Sequence, residues 1–224
     1  MKKKTAAIFS LVMSAVLCAA PVFAEAETEA DGNAEFLEAL TGTYDELFTV
    51  ICDPQYDQLW LDNCTEIVGE EMAEDCAVML KAACAGDIYG QEAVDAYGDG
   101  SEGALFDCFF INGVSQFTFD GNVFSGTDEE GKEVFSHEYE YVDQFLLGGM
   151  MEGALYETAD EDAGEFKYFV LFPDTPESTY HIEFRYGSDL DALAEYNSGD
   201  YAYWLAAGIL ADADQEMIEN VIQL

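Results

Sequence analysis

The chain has 224 residues, of which 50% are hydrophobic and 14% aromatic, and it carries a formal net charge of −40. This hydrophobic content excludes a largely disordered chain, and the length is sufficient for one substantial core. The acidic balance excludes nucleic acid and anionic lipid as partners, because both carry the same sign of charge, whereas it attracts cations.

An export signal is predicted over residues 1–24. Lys2–Lys4 give a positive start, an apolar stretch covers residues 6–19, and Val-Phe-Ala at residues 22–24 suits cleavage. The apolar stretch is short for a membrane span, and no other stretch of the sequence is suited to cross a bilayer. We therefore expect a secreted, extracytoplasmic protein that has no membrane span once the signal is removed.

The mature chain is predicted to begin with a short acidic disordered leader, residues 25–33, followed by a single domain over residues 34–224. The first part of that domain, residues 34–98, has the pattern of helices. Apolar residues recur at spacings of three and four over residues 36–51, which predicts one helix that Pro54 ends.

A second apolar stripe runs over residues 56–85 and predicts another helix. Gly69 lies within this stripe and is a point where the helix could break. Gly86 is a suitable helix end, because glycine adopts the left-handed conformation that often follows a helix. A short further helix is expected over residues 91–97, before the glycines that end the helical part of the chain.

The hydrophobic period changes to two over residues 104–186, which predicts an antiparallel meander of short strands that closes into a small barrel. Tight-turn sequences such as Asn112-Gly113 separate the strands. The predicted strands cover residues 104–111, 114–119, 123–127, 134–142, 153–157, 166–172 and 180–186.

A helical tail is predicted over residues 188–224. Its first helix is opened by Ser188 and Asp191, which resemble a capping box. Helices are expected at residues 189–196, 201–209 and 214–224. The fold class is therefore α+β, mainly β, with an antiparallel β-barrel preceded and followed by α-helices.

Five cysteines remain after signal cleavage, and their spacing matches neither a zinc knuckle nor a CxxC motif. Cys76 and Cys84 lie eight residues apart on a predicted helix, which places them roughly 12 Å apart and too far for a bridge. Burial as small hydrophobic side chains is the favoured interpretation. A bridge between Cys52 and Cys64 is left open.

The strand around His181 carries the most informative candidate site. Residues two apart in a strand point to the same side, so His181 and Glu183 project together, whereas Ile182 and Phe184 point the other way. An imidazole and a carboxylate are ligands suited to zinc or a similar divalent cation. The alternative is an exposed pair of Glu183 and Arg185 beside a histidine, which would contribute little.

The second histidine of the chain, His137, lies on another predicted strand. It shares a face with aromatic neighbours, Phe135 and Tyr139, so it is either a core histidine satisfied by a hydroxyl group or a further metal ligand. Both histidines are expected on strands of the barrel, where inward side chains converge.

Catalytic motifs are absent from the sequence: there is no GxSxG, no phosphate-binding glycine loop and no HExxH. The acidic loop at residues 160–165 lacks the oxygen ligands of an EF-hand and is interpreted as a solvated turn. The protein is therefore not expected to be an enzyme.

Several stretches together resemble the ZinT-type zinc-binding proteins. The likeness follows the order of elements behind an export signal and covers nearly the whole mature chain. The strand at residues 180–187, followed by an acidic helix, is its most distinctive part. The other stretches are Leu40-Thr41-Gly42-Thr43-Tyr44, Asn112-Gly113-Val114, Asp120-Gly121-Asn122, Phe166-Lys167-Tyr168-Phe169 and Tyr201-Ala202-Tyr203-Trp204.

The resemblance implies a lipocalin-like barrel and a zinc site at its mouth. Members of the family carry His-x-His on this strand, and the matching residues here are His181 and Glu183. The family's third histidine follows an Asp in the preceding loop, where this chain has Asp174 and Thr175. His181 and Glu183 are therefore the expected ligands, with His137 as a second nitrogen and Asp174 as a further oxygen.

The function that the resemblance implies is binding of a divalent metal, zinc first, for scavenging or for delivery to an uptake system. The binding protein of a metal-uptake ABC transporter is the candidate protein partner. The alternative is a barrel without metal that binds a small organic ligand or a partner protein through its aromatic interior.

Overall fold

The computed structural model describes residues 29–84, 108–149, 151–172, 181–196, 198–199, 201 and 204–222. The predicted export signal, residues 1–24, and the predicted helix over residues 91–97 lie outside these residues, and so does Asp174. Within them, no helix combines the length and the apolar content that crossing a bilayer requires.

Helices precede and follow the strands along the chain. Two single turns of 3-10 helix add to them, at Pro54–Tyr56 and Gly164–Phe166. The α-helices of the described residues are α1 (Glu29–Ala39), α2 (Leu47–Ile51), α3 (Asp57–Val68), α4 (Ala73–Cys84), α5 (Leu190–Ala194) and α6 (Gln215–Ile222).

The strands form one antiparallel sheet with the order β4-β3-β2-β1-β9-β8-β7-β6-β5. The two strands at the ends of this order, β4 and β5, are consecutive in the chain and are joined through Tyr139. The strands are β1 (Gly42–Glu46), β2 (Gln116–Asp120), β3 (Val123–Thr127), β4 (Glu133–Glu138), β5 (Glu140–Leu147), β6 (Met151–Glu157), β7 (Tyr168–Phe172), β8 (His181–Gly187) and β9 (Ala206–Leu210).

Aromatic side chains from strands that are not neighbours meet on one face of this sheet. Between ring centroids, Phe117 on β2 lies 4.9 Å from Phe184 on β8, and Phe124 on β3 lies 5.4 Å from Phe169 on β7. Strands so far apart in the sheet order touch only if the sheet curls, so this is the inner face of a half-barrel. The predicted α+β class with a lipocalin-like sheet is confirmed.

The described residues fall into two compact units. One contains the curled sheet with α1 and α5, and the other contains α2, α3, α4 and α6. In the helical unit the Trp60 indole donates a hydrogen bond to the Ile51 carbonyl at 2.9 Å, and the Asn63 amide donates to the Ile222 carbonyl at 3.0 Å. These bonds tie α3 to the ends of α2 and α6.

Two predictions for the N-terminal part are wrong. Helix α1 begins at Glu29, inside the predicted disordered leader over residues 25–33. The single helix predicted over residues 36–51 is interrupted by β1, which pairs with β2 and β9. Only Tyr44 is buried in this strand, and its position also fits a helical period, so the alternation was too short to reveal a strand.

Strand β9 corrects the prediction of a helix over residues 201–209. The strand reads Ala-Ala-Gly-Ile-Leu, and its first four residues are buried, because it lies in the middle of the sheet between β1 and β8. A strand that is covered on both faces shows no alternation of polar and apolar residues, so its period cannot be recognised.

Gly69 breaks the second predicted helix into α3 and α4. Its φ of +81° is a left-handed conformation that glycine adopts without strain. The connection between the helices is short, so α3 and α4 run as an antiparallel hairpin. The open question of a Cys52–Cys64 bridge is also answered here, because Cys64 is a free thiol in the structure.

Candidate functional site

Strand β8 carries different chemistry on its two faces. Ile182, Phe184 and Tyr186 belong to the hydrophobic cluster on the inner face. His181, Glu183 and Arg185 alternate with them and therefore lie on the outer face. The structure confirms that His181 and Glu183 share a face, but it corrects the expectation that His181 points into the barrel.

His181 and Glu183 lie side by side on this outer face. The distance from His181 Nε2 to Glu183 Oε1 is 3.9 Å, and the two side chains are 11% and 25% exposed. Their cross-strand neighbours are the nearly inaccessible Ile209 beside His181 and Phe172 beside Glu183. An imidazole and a carboxylate thus meet in a partly buried, apolar setting. Each group remains partly exposed, so a ligand can reach it.

Arg185 continues the same row and is completely buried. Its guanidinium donates hydrogen bonds of 2.6–2.9 Å to four backbone carbonyl oxygens, which belong to Leu193, Glu195, Tyr201 and Trp204. Burial lowers the pKa of Arg185 to about 10, so the group is still charged at neutral pH. The alternative of an exposed Glu183–Arg185 pair is therefore wrong, since Arg185 anchors the chain after β8 instead.

His137 lies apart from this row, on the inner face of the edge strand β4. Its Nδ1 is 2.8 Å from Asp160 Oδ2, and the imidazole is 12% exposed. The ring also stacks on Phe135 with a centroid distance of 6.0 Å. The partner of His137 is thus a carboxylate and not the hydroxyl group considered from the sequence.

The predicted ligands are therefore brought together in part. His181 meets Glu183, whereas His137 meets Asp160, and Asp174 lies outside the described residues. Among the residues that the structure describes, no three His, Cys, Asp or Glu side chains group closely enough to hold a metal ion. The His181–Glu183 pair supplies two donors of the kind that zinc accepts.

Two features of the site were missed at the sequence level. Asp160 was assigned to a solvated turn, although it is the partner of His137. Arg185 is at the surface only in the alternative of an exposed Glu183–Arg185 pair, and its role as an anchor for the following segment is not predicted. The available signal was the position of Arg185, two residues after Glu183 on a strand whose alternate residues are aromatic. The carbonyl oxygens that accept its hydrogen bonds lie in an irregular segment, which no sequence pattern predicts.

The inner face offers little room for a small organic ligand. Phe117, Phe119, Phe124, Phe169 and Phe184 are fully buried and contact one another across the half-barrel. Aromatic rings at such separations fill the space between strands, so a guest molecule there would have to displace them.

Comparisons with known proteins were informative only at the level of structure. No family model matches the sequence, and no curated protein matches it. The Zn(II)-bound ZinT-like domain of Streptococcus pneumoniae AdcA matches with a TM-score of 0.53 and 14% identity, over 84% of this chain and 89% of that chain.

Zn(II)-bound AdcA from Streptococcus pneumoniae matches over the same 84% of this chain, with a TM-score of 0.50 and 14% identity. This chain spans 34% of that longer protein. At such low identity the likeness concerns the fold alone. The chain therefore has a ZinT-like fold, which confirms the resemblance that the hairpin sequences and the His181 strand predicted.

Proposed function

We propose that this protein binds a divalent metal ion, zinc first, through His181 and Glu183. The observation that carries the proposal is the juxtaposition of an imidazole and a carboxylate, 3.9 Å apart and partly buried, on the outer face of β8. Zinc in proteins is held by such nitrogen and oxygen donors. The ZinT-like fold adds support, because the structures that the chain resembles are of Zn(II)-bound proteins.

The separation of the two donor atoms is close to what tetrahedral zinc requires. Metal–ligand bonds of about 2.0–2.1 Å at a tetrahedral angle place neighbouring donors roughly 3.3–3.5 Å apart. The observed 3.9 Å is slightly wider. A small rotation of the Glu183 side chain, which is one quarter exposed, is enough to close that difference.

Asp174 is proposed as a third ligand on the ground of chain connectivity. Phe172 is the Cα partner of Glu183 in the β7–β8 ladder. Asp174 follows two residues later, so its Cα lies within about 7 Å of the Phe172 Cα whatever path the chain takes. A carboxylate at this point of the chain would add an oxygen donor of the kind that zinc accepts. His137, held by Asp160, stays a predicted ligand that a variant must test.

The biological role that we propose is extracytoplasmic metal scavenging or delivery to an uptake system. The predicted export signal and the strongly acidic sequence support a secreted protein that attracts cations. A binding protein of a metal-uptake ABC transporter is the proposed partner. No catalytic step is assigned, because binding and release of the ion are sufficient for this role.

Zinc titration of purified full chain in competition with a chromophoric chelator tests the proposal. The wild type should bind one zinc ion per chain. His181→Ala and Glu183→Gln should each weaken binding by about 100-fold or more, because loss of a ligand costs at least as much as loss of its supporting contacts. Glu152→Gln, which changes an exposed glutamate on β6, is the matched control and should bind as the wild type does.

The same titration distinguishes the roles of the other residues. Asp174→Asn should weaken binding if it is the third ligand, whereas His137→Ala should leave the affinity unchanged if the His137–Asp160 pair is separate. Zinc binding that His181→Ala leaves intact would contradict the proposal. A barrel that binds a partner protein without metal would then be the better interpretation.

A further inference from the structure

Two buried thiols face each other in the helical unit. Cys64 on α3 is 0% exposed and Cys76 on α4 is 3% exposed. Their side chains are hydrogen-bonded to each other. Both are free thiols in the structure, and neither belongs to the His181–Glu183 site.

The geometry of the helical hairpin explains why these two cysteines meet. Cys64 lies four residues before the end of α3, and Cys76 lies three residues after the start of α4. At a rise of about 1.5 Å per residue, the two positions are nearly level on antiparallel helices. The turn between them is fixed by hydrogen bonds from Gly69 N to the Thr65 carbonyl at 2.9 Å and from Met72 N to the Gly69 carbonyl at 3.1 Å.

Contacts further along the hairpin support the same alignment. Lys81 on α4 is 6% exposed, and its Nζ lies 2.5 Å from Asp57 Oδ1 on α3. The same ammonium group lies 5.8 Å from the centre of the Trp60 ring. The Lys81 contacts hold α3 against α4 on one side of the thiols, and the turn at Gly69 joins the two helices on the other side. The two sulfur atoms therefore lie between two places at which the helices are held together.

We propose that Cys64 and Cys76 are a dithiol that closes to a disulfide across the α3–α4 hairpin. The reaction is an exchange with a disulfide of another molecule, either a protein or a small compound such as oxidised glutathione. One thiolate attacks the external disulfide and releases a thiol, and the second thiol then displaces the other. The two cysteines lose two protons and two electrons, and the external disulfide takes them up as two thiols.

Both thiols are buried in the folded chain, so the first attack on the external disulfide takes place before the hairpin has packed or while it is open. The attacking species is the thiolate of either cysteine, and the other cysteine acts as the resolving thiol. The predicted export of the chain is consistent with this reaction, because exported proteins meet an oxidising environment.

The bridge is tested by refolding the full chain from denaturant in a buffer of reduced and oxidised glutathione, so that burial does not limit access. Remaining thiols are then alkylated, and the peptides are mapped by mass spectrometry. We expect a cross-linked pair of peptides that contain Cys64 and Cys76 and that separate on reduction. The oxidised chain should also melt higher than the reduced one by roughly 6–12 °C, as a short-loop disulfide would give.

Two variants control this experiment. Cys52→Ser should keep the cross-link and the effect of reductant on the melting temperature, whereas Cys76→Ser should lose both. The wild-type peptide map is decisive even if Cys76→Ser folds poorly. Full alkylation of Cys64 and Cys76 under oxidising conditions, or a bridge from either to a different cysteine, would overturn the proposal. Zinc affinity is measured separately, so a failure of the metal site leaves this result unaffected.

Discussion

The two faces of β8 are both largely buried, yet they are stabilised by different interactions. On the inner face, Phe184 and Tyr186 pack among rings from β2 and β7. On the outer face, Arg185 is fully buried but binds backbone carbonyls, and His181 with Glu183 stays partly accessible. The imidazole, carboxylate and guanidinium groups of β8 therefore all lie on its outer face.

The difference shows where a ligand can act on this fold. An aromatic interior that is already filled contributes stability and leaves little room for a ligand. The outer row keeps polar groups, and Arg185 holds the following segment in place beside them. Substitutions at a functional site on the outer face can therefore be made without loss of the core, whereas substitutions on the inner face should lower the stability of the whole sheet.

High pH should have the largest effect on the stability of the protein, because it ionises the buried tyrosines. Burial raises the pKa of each phenol above its usual value near 10, so the folded chain keeps protons that the unfolded chain releases. Stability is therefore complete below pH about 10 and falls above it, by about 1.4 kcal/mol per pH unit for each phenol. The four residues are Tyr44, Tyr139, Tyr156 and Tyr186.

Tyrosinate absorbance and circular dichroism, followed together against pH, check this prediction. Of the 13 tyrosines in the chain, these four should ionise only in the steep transition in which the chain unfolds. Tyr44→Phe should make the pH dependence less steep by one proton. Ionisation of all 13 tyrosines in a chain that stays folded would show that the inner face admits water.

Phe117→Ala should have the next largest effect. Its ring is completely buried and contacts Phe184, Phe119 and Tyr186. Truncation leaves a cavity in the middle of the inner face and should lower the free energy of unfolding by about 4 kcal/mol, measured by denaturant titration. Leu146→Ala, which changes a side chain that is 52% exposed, is the control and should cost about 0.5 kcal/mol or less.

Arg185→Met should destabilise the protein by about 3 kcal/mol in the same titration. Four carbonyl oxygens lose their buried donor, and this cost is only partly offset by removing a buried charge. Arg185→Lys should be intermediate, because an ammonium group keeps the charge but not the planar set of donors. Wild-type stability of Arg185→Met would mean that the carbonyls find other donors and that the outer face does not depend on this residue.

Asp189→Ala should have the smallest effect, about 1 kcal/mol. The Asp189 carboxylate accepts a hydrogen bond from the Ala192 amide at 3.1 Å and begins α5, the helix whose Leu193 carbonyl Arg185 binds. Thermal denaturation measures the change. Asp189→Asn keeps a capping oxygen and should lose no more than a fraction of that amount. An equal loss in both variants would indicate that the charge matters and not the cap.

The parts of the fold that the sequence predicted are those where local pattern and tertiary environment agree. Strand β3 matches residues 123–127 as predicted, because its alternation is regular and its turns are typical. The break at Gly69 is also a local effect. By contrast, β1 and β9 are strands because they pair with each other and with β2 and β8, and this pairing joins distant parts of the chain. No local pattern contains that information.

The candidate site was predictable to the same extent. Alternation along β8 showed that His181 and Glu183 share a face, since that follows from strand geometry alone. It did not show which face is inner, because the outer face is also covered at Arg185 and Ile209. The Asp160 partner of His137 was not predictable either, since it lies in a loop twenty-three residues away.

The position of β9 also governs when the protein can fold. This strand lies between β1 and β8 in the sheet, although it is the last strand in sequence among the described residues. Until it arrives, the strands before it in the sheet order and those after it are two separate sheets with open edges that could pair with other chains. Contacts between such distant segments make folding slow. A chain of this design can complete its sheet only after β9 has paired with both β1 and β8.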